Sequence, residues 1–226
     1  MLDIGWLCGA AVRAVYWLVM LACNFLGYSP MWAKNALKRR NMESFRLRTP
    51  SNLAILYTER VVEKEELRKL IEICSKSGVR HLSLYDHWGD VQKCVPNFVD
   101  FCRFNGIRLI LGRTVEVSPD FSASGMTVQV LSSDSGKRAL VDVCKSLCES
   151  NVEITTETIS EKIALDHLLV DPDFLIQVGS VPSLCGYPPW NLRVTEFMQT
   201  QRLPTTPRAF ENCIETFSRR DIRVGK

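Results

Sequence analysis

The last eight residues carry the charges and the small side chain that suit a diphosphate ligand. They read RRDIRVGK, with four positive charges against one negative charge. The guanidinium of Arg223 can bind phosphate oxygens through two parallel hydrogen bonds, and Gly225 lets backbone N–H groups approach an anion closely. A terminal segment is by default a solvated tail, so the residues alone leave both interpretations open.

Histidine side chains give a weaker signal for catalysis. His87 follows Asp86 at the predicted end of a strand, which is where α/β proteins often bind ligands. No G-x-S-x-G motif accompanies this pair, and a nucleophilic role for Cys74 or Cys94 has no motif behind it. We therefore favour a structural, hydrogen-bonding role for His87.

The nine cysteines are odd in number and contain no C-x-x-C spacing. This pattern favours reduced thiols that face a cytosol-like compartment over a disulfide framework. Cys144 and Cys148 share one face of a predicted helix, but two further ligands at suitable spacing are missing. A zinc site is therefore not expected.

The first thirty residues are predicted to form a membrane anchor. Residues 4–27 form an apolar run in which Arg13 is the only formal charge, and as a helix they would span about 36 Å against a hydrocarbon core of roughly 30 Å. A cleaved signal peptide is disfavoured because no basic segment precedes the apolar run. A helix lying flat in the interface stays an alternative, since Arg13 is costly inside a bilayer.

Residues 31–49 form a basic juxtamembrane linker, with six Lys or Arg residues against Glu43. The excess of positive charge on this side of the anchor places the following domain, residues 50–226, in the cytosol. The linker also suits anionic lipid headgroups. Formal net charge is only +3 for the whole chain, and no nucleic-acid motif is present, so we expect no nucleic-acid partner.

Apolar runs and amphipathic segments alternate across residues 50–226, in proportions typical of a globular protein (46% hydrophobic and 23% charged residues overall). Strands are predicted at residues 51–58, 79–87, 107–112, 126–132, 171–179 and 190–197. Helices are predicted at residues 63–76, 91–104, 137–149, 160–169 and 207–219. This order predicts an α/β fold with a mainly parallel central sheet and flanking helices.

Two helix starts carry predicted side-chain caps. Asp134 or Ser135 can cap the helix that begins at Lys137, and Ser160 can cap the next helix. The turn Ser135-Gly136-Lys137 is interpreted as a helix start, because Leu131 stands where a phosphate-binding loop needs its first glycine. The loop after residue 179 follows a predicted parallel strand, so a ligand site and a turn-rich connection are equally good explanations for it.

Six segments together resemble the cis-prenyltransferase family, and in particular its noncatalytic subunits of the Nogo-B receptor type in the dehydrodolichyl diphosphate synthase complex. These segments are residues 52–59, 78–89, 128–137, 171–179, 189–196 and 223–226. The resemblance implies the fold of that family and a catalytic partner chain. The implied reaction condenses isopentenyl diphosphate onto farnesyl diphosphate, giving the polyprenyl precursor of dolichol for protein glycosylation.

The chain departs from the catalytic members at residues that bind substrate there. Thr58 stands where the family has an Asp that helps to hold magnesium diphosphate, and Glu59 stands where it has a Gly. Gln177 and Ser183 take the places of phosphate-binding arginines. Glu196 matches a family carboxylate, but one carboxylate is a poor magnesium site. The resemblance therefore implies that Mg²⁺ is held mainly by the partner and that the isolated chain is inactive.

Unlike the positions just named, the C-terminal motif of the family is present in this chain, as Arg223 and Gly225. Arg223, Val224 and Gly225 would reach into the partner's site and bind isopentenyl diphosphate there. The implied location is the endoplasmic reticulum membrane, with the domain facing the cytosol. Two other functions remain as hypotheses: a self-sufficient homodimeric transferase, and a membrane-anchored receptor or scaffold that performs no prenyl chemistry.

Overall fold

A computed structural model of the chain describes residues 48–60, 62–118, 125–150 and 152–219. Within these ranges one sheet has the strand order β4-β3-β5-β2-β1-β6-β7. Its strands are β1 (Asn52–Tyr57), β2 (His81–Asp86), β3 (Arg108–Leu111), β4 (Thr114–Val117), β5 (Thr127–Leu131), β6 (Phe174–Val178) and β7 (Glu196–Thr200). Every neighbouring pair is parallel except β3 and β4. The prediction of a mainly parallel sheet is confirmed.

Helices cover both faces of this sheet. They are α1 (Lys64–Lys76), α2 (Asp90–Cys94), α3 (Val99–Phe104), α4 (Lys137–Glu149), α5 (Thr156–His167) and α6 (Pro207–Ser218). On the first face, α1, α2, α3 and α6 pack in one apolar core with Ile55. On the second face, α4 and α5 pack in another core with Leu56. Burial on both faces explains why the central strands are nearly continuous apolar runs.

The chain leaves β1 and β6 towards opposite faces of the sheet. After β1 it enters α1, whose Leu67 and Leu70 belong to the core of the first face. After β6 it enters a loop of residues 179–189, whose Tyr187 belongs to the core of the second face. The carboxyl ends of β1 and β6 therefore flank the topological switch point of the sheet, which is the usual ligand position in open α/β folds.

The predicted single helix over residues 91–104 is wrong. The segment folds as α2, a 3₁₀ turn at Val95–Asn97, and α3. Pro96 lies in this turn and has no backbone N–H to continue the hydrogen-bond ladder of α2.

The antiparallel strand β4 was not predicted at all, because TVEV has three exposed residues and follows β3 after a tight turn at Gly112.

The predicted caps are also wrong. Ser132 and Ser135 form a capping box around a 3₁₀ turn, Ser133–Ser135, and Gly136 begins α4 without a side-chain cap. Thr155 caps α5 and accepts a hydrogen bond from the amide of Thr158. Ser160 lies inside α5, where its hydroxyl accepts from the indole Nε1 of Trp190 at 3.0 Å.

The last predicted strand is displaced along the sequence. Trp190 lies in a 3₁₀ turn, Pro189–Asn191, and β7 begins only at Glu196. The predicted anchor, residues 1–30, and nearly all of the linker lie outside the described residues. Among the helices that are described, none has the length and hydropathy needed to cross a membrane.

Candidate functional site

The β1/β6 crevice is the space at the carboxyl ends of these two strands, bounded by Thr58, Glu59, Gly179 and Ser180. Thr58 closes the inner part of it. Its amide N–H and its hydroxyl both donate to the carbonyl oxygen of Val178, at 2.9 and 3.2 Å. The side chain is only 4% exposed, so its hydroxyl is committed to the protein and does not face solvent.

Glu59 closes the outer part of the crevice. One carboxylate oxygen of Glu59 accepts the amide N–H of Ser180 at 2.8 Å, and the same oxygen accepts the hydroxyl of Ser180. The hydroxyl and then the amide hydrogen bond lower the pKa of Glu59 below its usual range. The side chain is therefore a carboxylate that already holds its hydrogen-bond donors.

Gly179 makes this close approach of β1 and β6 possible. Its φ is +124°, a conformation that L side chains rarely adopt. A Cβ at this position would collide with the hydroxyl of Thr58 and would lie 3.2 Å from Cγ of Glu59. The sequence marks this residue only as a glycine after a strand, so the contact across the crevice could not be predicted.

The two positions where the resemblance implies arginines do meet in the structure. The amide Nε2 of Gln177 donates to the carbonyl oxygen of Ser183 at 3.2 Å. The hydroxyl of Ser183 accepts the amide of Cys185 at 3.2 Å. Both side chains are uncharged and bonded to the loop itself, so neither offers a guanidinium to a phosphate group.

Two tyrosines hold the 179–189 loop over the carboxyl edge of the sheet. The hydroxyl of Tyr85 donates to the carbonyl oxygen of Cys185 at 2.9 Å, and the hydroxyls of Ser83 and Tyr187 lie 3.1 Å apart. The tyrosine rings meet edge to face, with centroids 5.6 Å apart. Burial raises the pKa of Tyr85 to about 12, so its hydroxyl stays protonated and donates across the physiological range.

Gly136 brings the start of α4 against the same loop. A Cβ at Gly136 would collide with the carbonyl oxygen of Gly186. The Ser-Gly-Lys turn of the sequence is thus a packing site for the 179–189 loop, which agrees with its interpretation as a helix start.

Asp86 and His87 do not form a catalytic pair. The carboxylate of Asp86 is 1% exposed and accepts the amides of Trp88, Asp90 and Val91, at 3.1, 2.7 and 3.0 Å. It therefore accepts the first two amides of α2, whose N-cap residue Gly89 has no side chain to do so, and it stabilises the turn after β2. His87 is exposed and meets the ring of Trp88 edge-on, with centroids 6.1 Å apart.

The cysteines singled out by the sequence show no reactive environment. Cys74 and Cys94 are buried, and desolvation raises the pKa of each thiol, which makes a thiolate nucleophile unfavourable. On α4, Cys144 is half-buried and Cys148 is exposed. In the described part of the chain, no three His, Cys, Asp or Glu side chains are placed to hold a metal ion together.

Glu196 lies at the opposite edge of the sheet from the β1/β6 crevice. It pairs with Phe174 at the amino ends of β7 and β6, whereas Thr200 pairs with Val178 at the carboxyl ends. At about 3.3 Å per residue, the separation along the strand is about 13 Å. Thr58 and Glu196 therefore do not converge within one chain. The described residues do not fit a magnesium site of oxygen ligands.

The predicted tail residues Arg223, Val224 and Gly225 lie outside the described residues. Their roles stay predictions. The described chain ends at Arg219, which follows the last residue of α6.

Solved structures of other proteins share this fold. A probable undecaprenyl diphosphate synthase from Campylobacter jejuni matches with a TM-score of 0.63 and 17% identity, over 79% of this chain and 100% of that chain. Lavandulyl diphosphate synthase from Lavandula x intermedia, solved with dimethylallyl diphosphate, matches with a TM-score of 0.59 and 15% identity, over 77% and 98% of the chains. The fold is that of the cis-prenyltransferases.

Relatives found among curated proteins are more similar in sequence to this chain than these solved structures are. The dehydrodolichyl diphosphate synthase complex subunit NUS1 of Homo sapiens is 24% identical over 199 residues, which cover 78% of this chain and 67% of that protein. The subunit of the same name from Schizosaccharomyces pombe is 24% identical over 93% of this chain and 89% of its own length. No family model matches the sequence. The resemblance to subunits of the dehydrodolichyl diphosphate synthase complex is confirmed.

Proposed function

We propose that this chain is a noncatalytic subunit of a heteromeric cis-prenyltransferase, which makes long-chain polyprenyl diphosphate for dolichol synthesis and protein glycosylation. The closed β1/β6 crevice carries this proposal. The chain has the fold of prenyl diphosphate synthases, yet Thr58, Glu59 and Gln177 bind other parts of the same chain there. Such a chain needs a partner that supplies the Mg²⁺ site and the farnesyl diphosphate site.

The contribution of this chain to the reaction is its C-terminal tail. In the partner's site, the guanidinium of Arg223 would bind the diphosphate of isopentenyl diphosphate, while Val224 and Gly225 bring the backbone close to it. The six residues 221–226 could extend over about 20 Å, which is long enough to cross a subunit boundary. Mg²⁺ would be held mainly by the partner.

An exposed apolar surface supports a protein partner. Of the eleven large apolar residues that are exposed in the described ranges, four lie on the 179–189 loop or along the edge strand β7 and the residues just before it. They are Val181, Leu184, Val194 and Phe197, with exposed fractions of 44, 37, 49 and 37%. Val181 and Leu184 follow the carboxyl end of β6, and Val194 and Phe197 lie at the amino end of β7. Apolar side chains exposed at an edge of the described sheet and on its adjoining loop are a feature of subunit interfaces.

Residues 1–30 would anchor the complex in the endoplasmic reticulum membrane, with residues 50–226 in the cytosol. The basic linker, residues 31–49, would lie against anionic lipid headgroups. An anchor is useful for this chemistry because a long polyprenyl product is apolar and belongs in the bilayer.

The test is incorporation of labelled isopentenyl diphosphate by this chain, by a catalytic cis-prenyltransferase subunit from the same organism, and by the co-expressed pair, all with Mg²⁺. We expect no product from this chain alone and at least a severalfold higher rate for the pair than for the catalytic subunit alone. Product from the isolated chain would favour the homodimeric transferase. A pair that gains nothing would favour a scaffold without prenyl chemistry.

A further inference from the structure

Two hydrogen-bond donors of one residue converge on a single anionic oxygen in the β1/β6 crevice. The amide and the hydroxyl of Ser180 both donate to the same carboxylate oxygen of Glu59. Glu59 and Ser180 are 121 residues apart in sequence, so the contact depends on the fold and not on a local turn. Donors that converge on one oxygen are the arrangement by which proteins bind oxyanions.

The peptide group that supplies the amide donor is held from its other side. The carbonyl oxygen of Gly179 accepts the side-chain Nε2 of Gln199 at 2.9 Å. Because the carbonyl and the next N–H of a trans peptide point in opposite directions, this bond directs the Ser180 N–H away from β7 and into the crevice. The Gly179 N–H is also fixed, by the carbonyl oxygen of Thr200 at 2.9 Å. The direction of the amide donor is therefore set by the sheet edge and does not require Glu59, whereas the Ser180 hydroxyl can rotate to meet its acceptor.

A side chain at Gly179 would also crowd Glu59 where it meets these donors. A Cβ at Gly179 would lie 3.2 Å from Cγ and 3.3 Å from Cδ of Glu59. The hydrogen bonds lower the pKa of this carboxyl group, so the group that fills the crevice is an anion at neutral pH.

We propose that Gly179 and Ser180 form an oxyanion-binding site, and that the carboxylate of Glu59 is its resident occupant. Glu59 takes the place of an oxygen from an external phosphate or carboxylate. An external diphosphate would have to displace a carboxylate that is covalently part of β1, which keeps the crevice closed in this subunit. The inference stands on this chain alone and does not depend on a prenyltransferase partner.

Chemical rescue tests this site directly. Glu59→Ala in the whole chain removes the resident carboxylate and leaves both donors of Ser180 in place. We expect hydrogen exchange of the Ser180 amide, at the start of the 179–189 loop, to become at least about fivefold faster, because this amide loses its charge-assisted acceptor. Acetate, or inorganic phosphate, should then restore protection with a saturable concentration dependence, whereas chloride at equal ionic strength should not.

Three matched variants control the experiment. Glu59→Gln fills the same space without the charge, so anions should not add protection to it. Glu59→Ala combined with Ser180→Ala removes the hydroxyl donor and should need a much higher anion concentration. Glu72→Ala removes another exposed carboxylate, which is bonded to Lys76 on α1, and should not affect the 179–189 loop.

The outcomes separate clearly. Rescue of Glu59→Ala by both acetate and phosphate supports a general oxyanion site, and rescue by phosphate alone supports one shaped for phosphate. Unchanged exchange in Glu59→Ala, or equal protection by chloride, or equal rescue in the double variant, would overturn the proposal. None of these results involves prenyl transfer, so the proposed function would stand or fall separately.

Discussion

Replacing Gly179 by alanine is the sharpest test of how β1 and β6 approach each other. Two costs combine at this residue. Its φ of +124° is strained for any L side chain, and the new Cβ collides with the hydroxyl of Thr58. Gly78 is a matched control, because its φ is +82° but a Cβ there meets no atom within 4 Å.

The expected magnitudes follow from these two costs. Backbone strain at such a φ costs about 1–3 kcal/mol, and overpacking of a buried contact adds about 1–3 kcal/mol, so Gly179→Ala should destabilise the fold by about 2–6 kcal/mol. Gly78→Ala carries only the strain of a left-handed residue, about 1–2 kcal/mol. For a domain of this size, 1 kcal/mol corresponds to roughly 2–4 °C in Tm. The Tm should therefore fall by roughly 4–24 °C for Gly179→Ala and by roughly 2–8 °C for the control.

Thr58→Ala then isolates the collision. It removes the hydroxyl that the new Cβ meets, while the amide of Thr58 still donates to Val178. The double variant with Gly179→Ala should recover about 1–3 kcal/mol relative to the sum of the single variants, and the double variant with Gly78→Ala should recover nothing. The loss of stability in each single and double variant is measured as the change in Tm, from tryptophan fluorescence of the purified whole chain. Equal losses for both glycines, with no coupling to Thr58→Ala, would refute the close approach described here.

Three further predictions concern the tail, the turn after β2 and the half-buried His81. Arg223→Ala should lower the rate of isopentenyl diphosphate incorporation by the two-chain complex by about 10–150-fold, from a lost charge-assisted contact of roughly 1.5–3 kcal/mol; undiminished turnover would exclude the tail from the partner's site. Asp86→Ala should cost about 2–4 kcal/mol in urea unfolding, because three amides lose their acceptor, whereas the exposed Asp100→Ala should cost under about 0.5 kcal/mol. Burial lowers the pKa of His81 to about 4, below its unfolded value of roughly 6.5, so the stability present above about pH 6.5 should fall as the pH drops towards 4. His81→Leu should flatten this part of the profile, and His87→Leu should not; identical profiles would contradict the assignment.

The central sheet could be predicted from the sequence because its strands are buried on both faces. The runs that form β1, β3 and β6 are apolar nearly throughout, and the amphipathic period of α1 is clear. The errors occur where local chemistry competes with that pattern. Pro96 interrupts an otherwise helical stretch, and the exposed strand β4 has little apolar signal to detect.

The site was predicted only in part. The departures at Thr58 and Gln177 could be identified by comparison with a family pattern, which also indicated that the chain lacks its metal-holding acid. The contacts that this chain makes in place of metal and phosphate binding could not be predicted, because each of them joins residues that are far apart in sequence. Tyr85 and Cys185 are 100 residues apart, and Ser83 and Tyr187 are 104 residues apart. Only the register of the sheet brings such pairs together.

The departures from the catalytic members at the β1/β6 crevice share one physical effect, which is that contacts within the chain replace contacts to a ligand. A diphosphate site concentrates positive charges that repel each other until the ligand arrives, so its order depends on the ligand. In this chain, Thr58 and Gln177 are uncharged and bonded to backbone carbonyls, and Glu59 is bonded to the loop across the crevice. The 179–189 loop is therefore held without any ligand. A chain with such a loop keeps the same conformation at this end of the sheet whether or not a phosphate ligand is present.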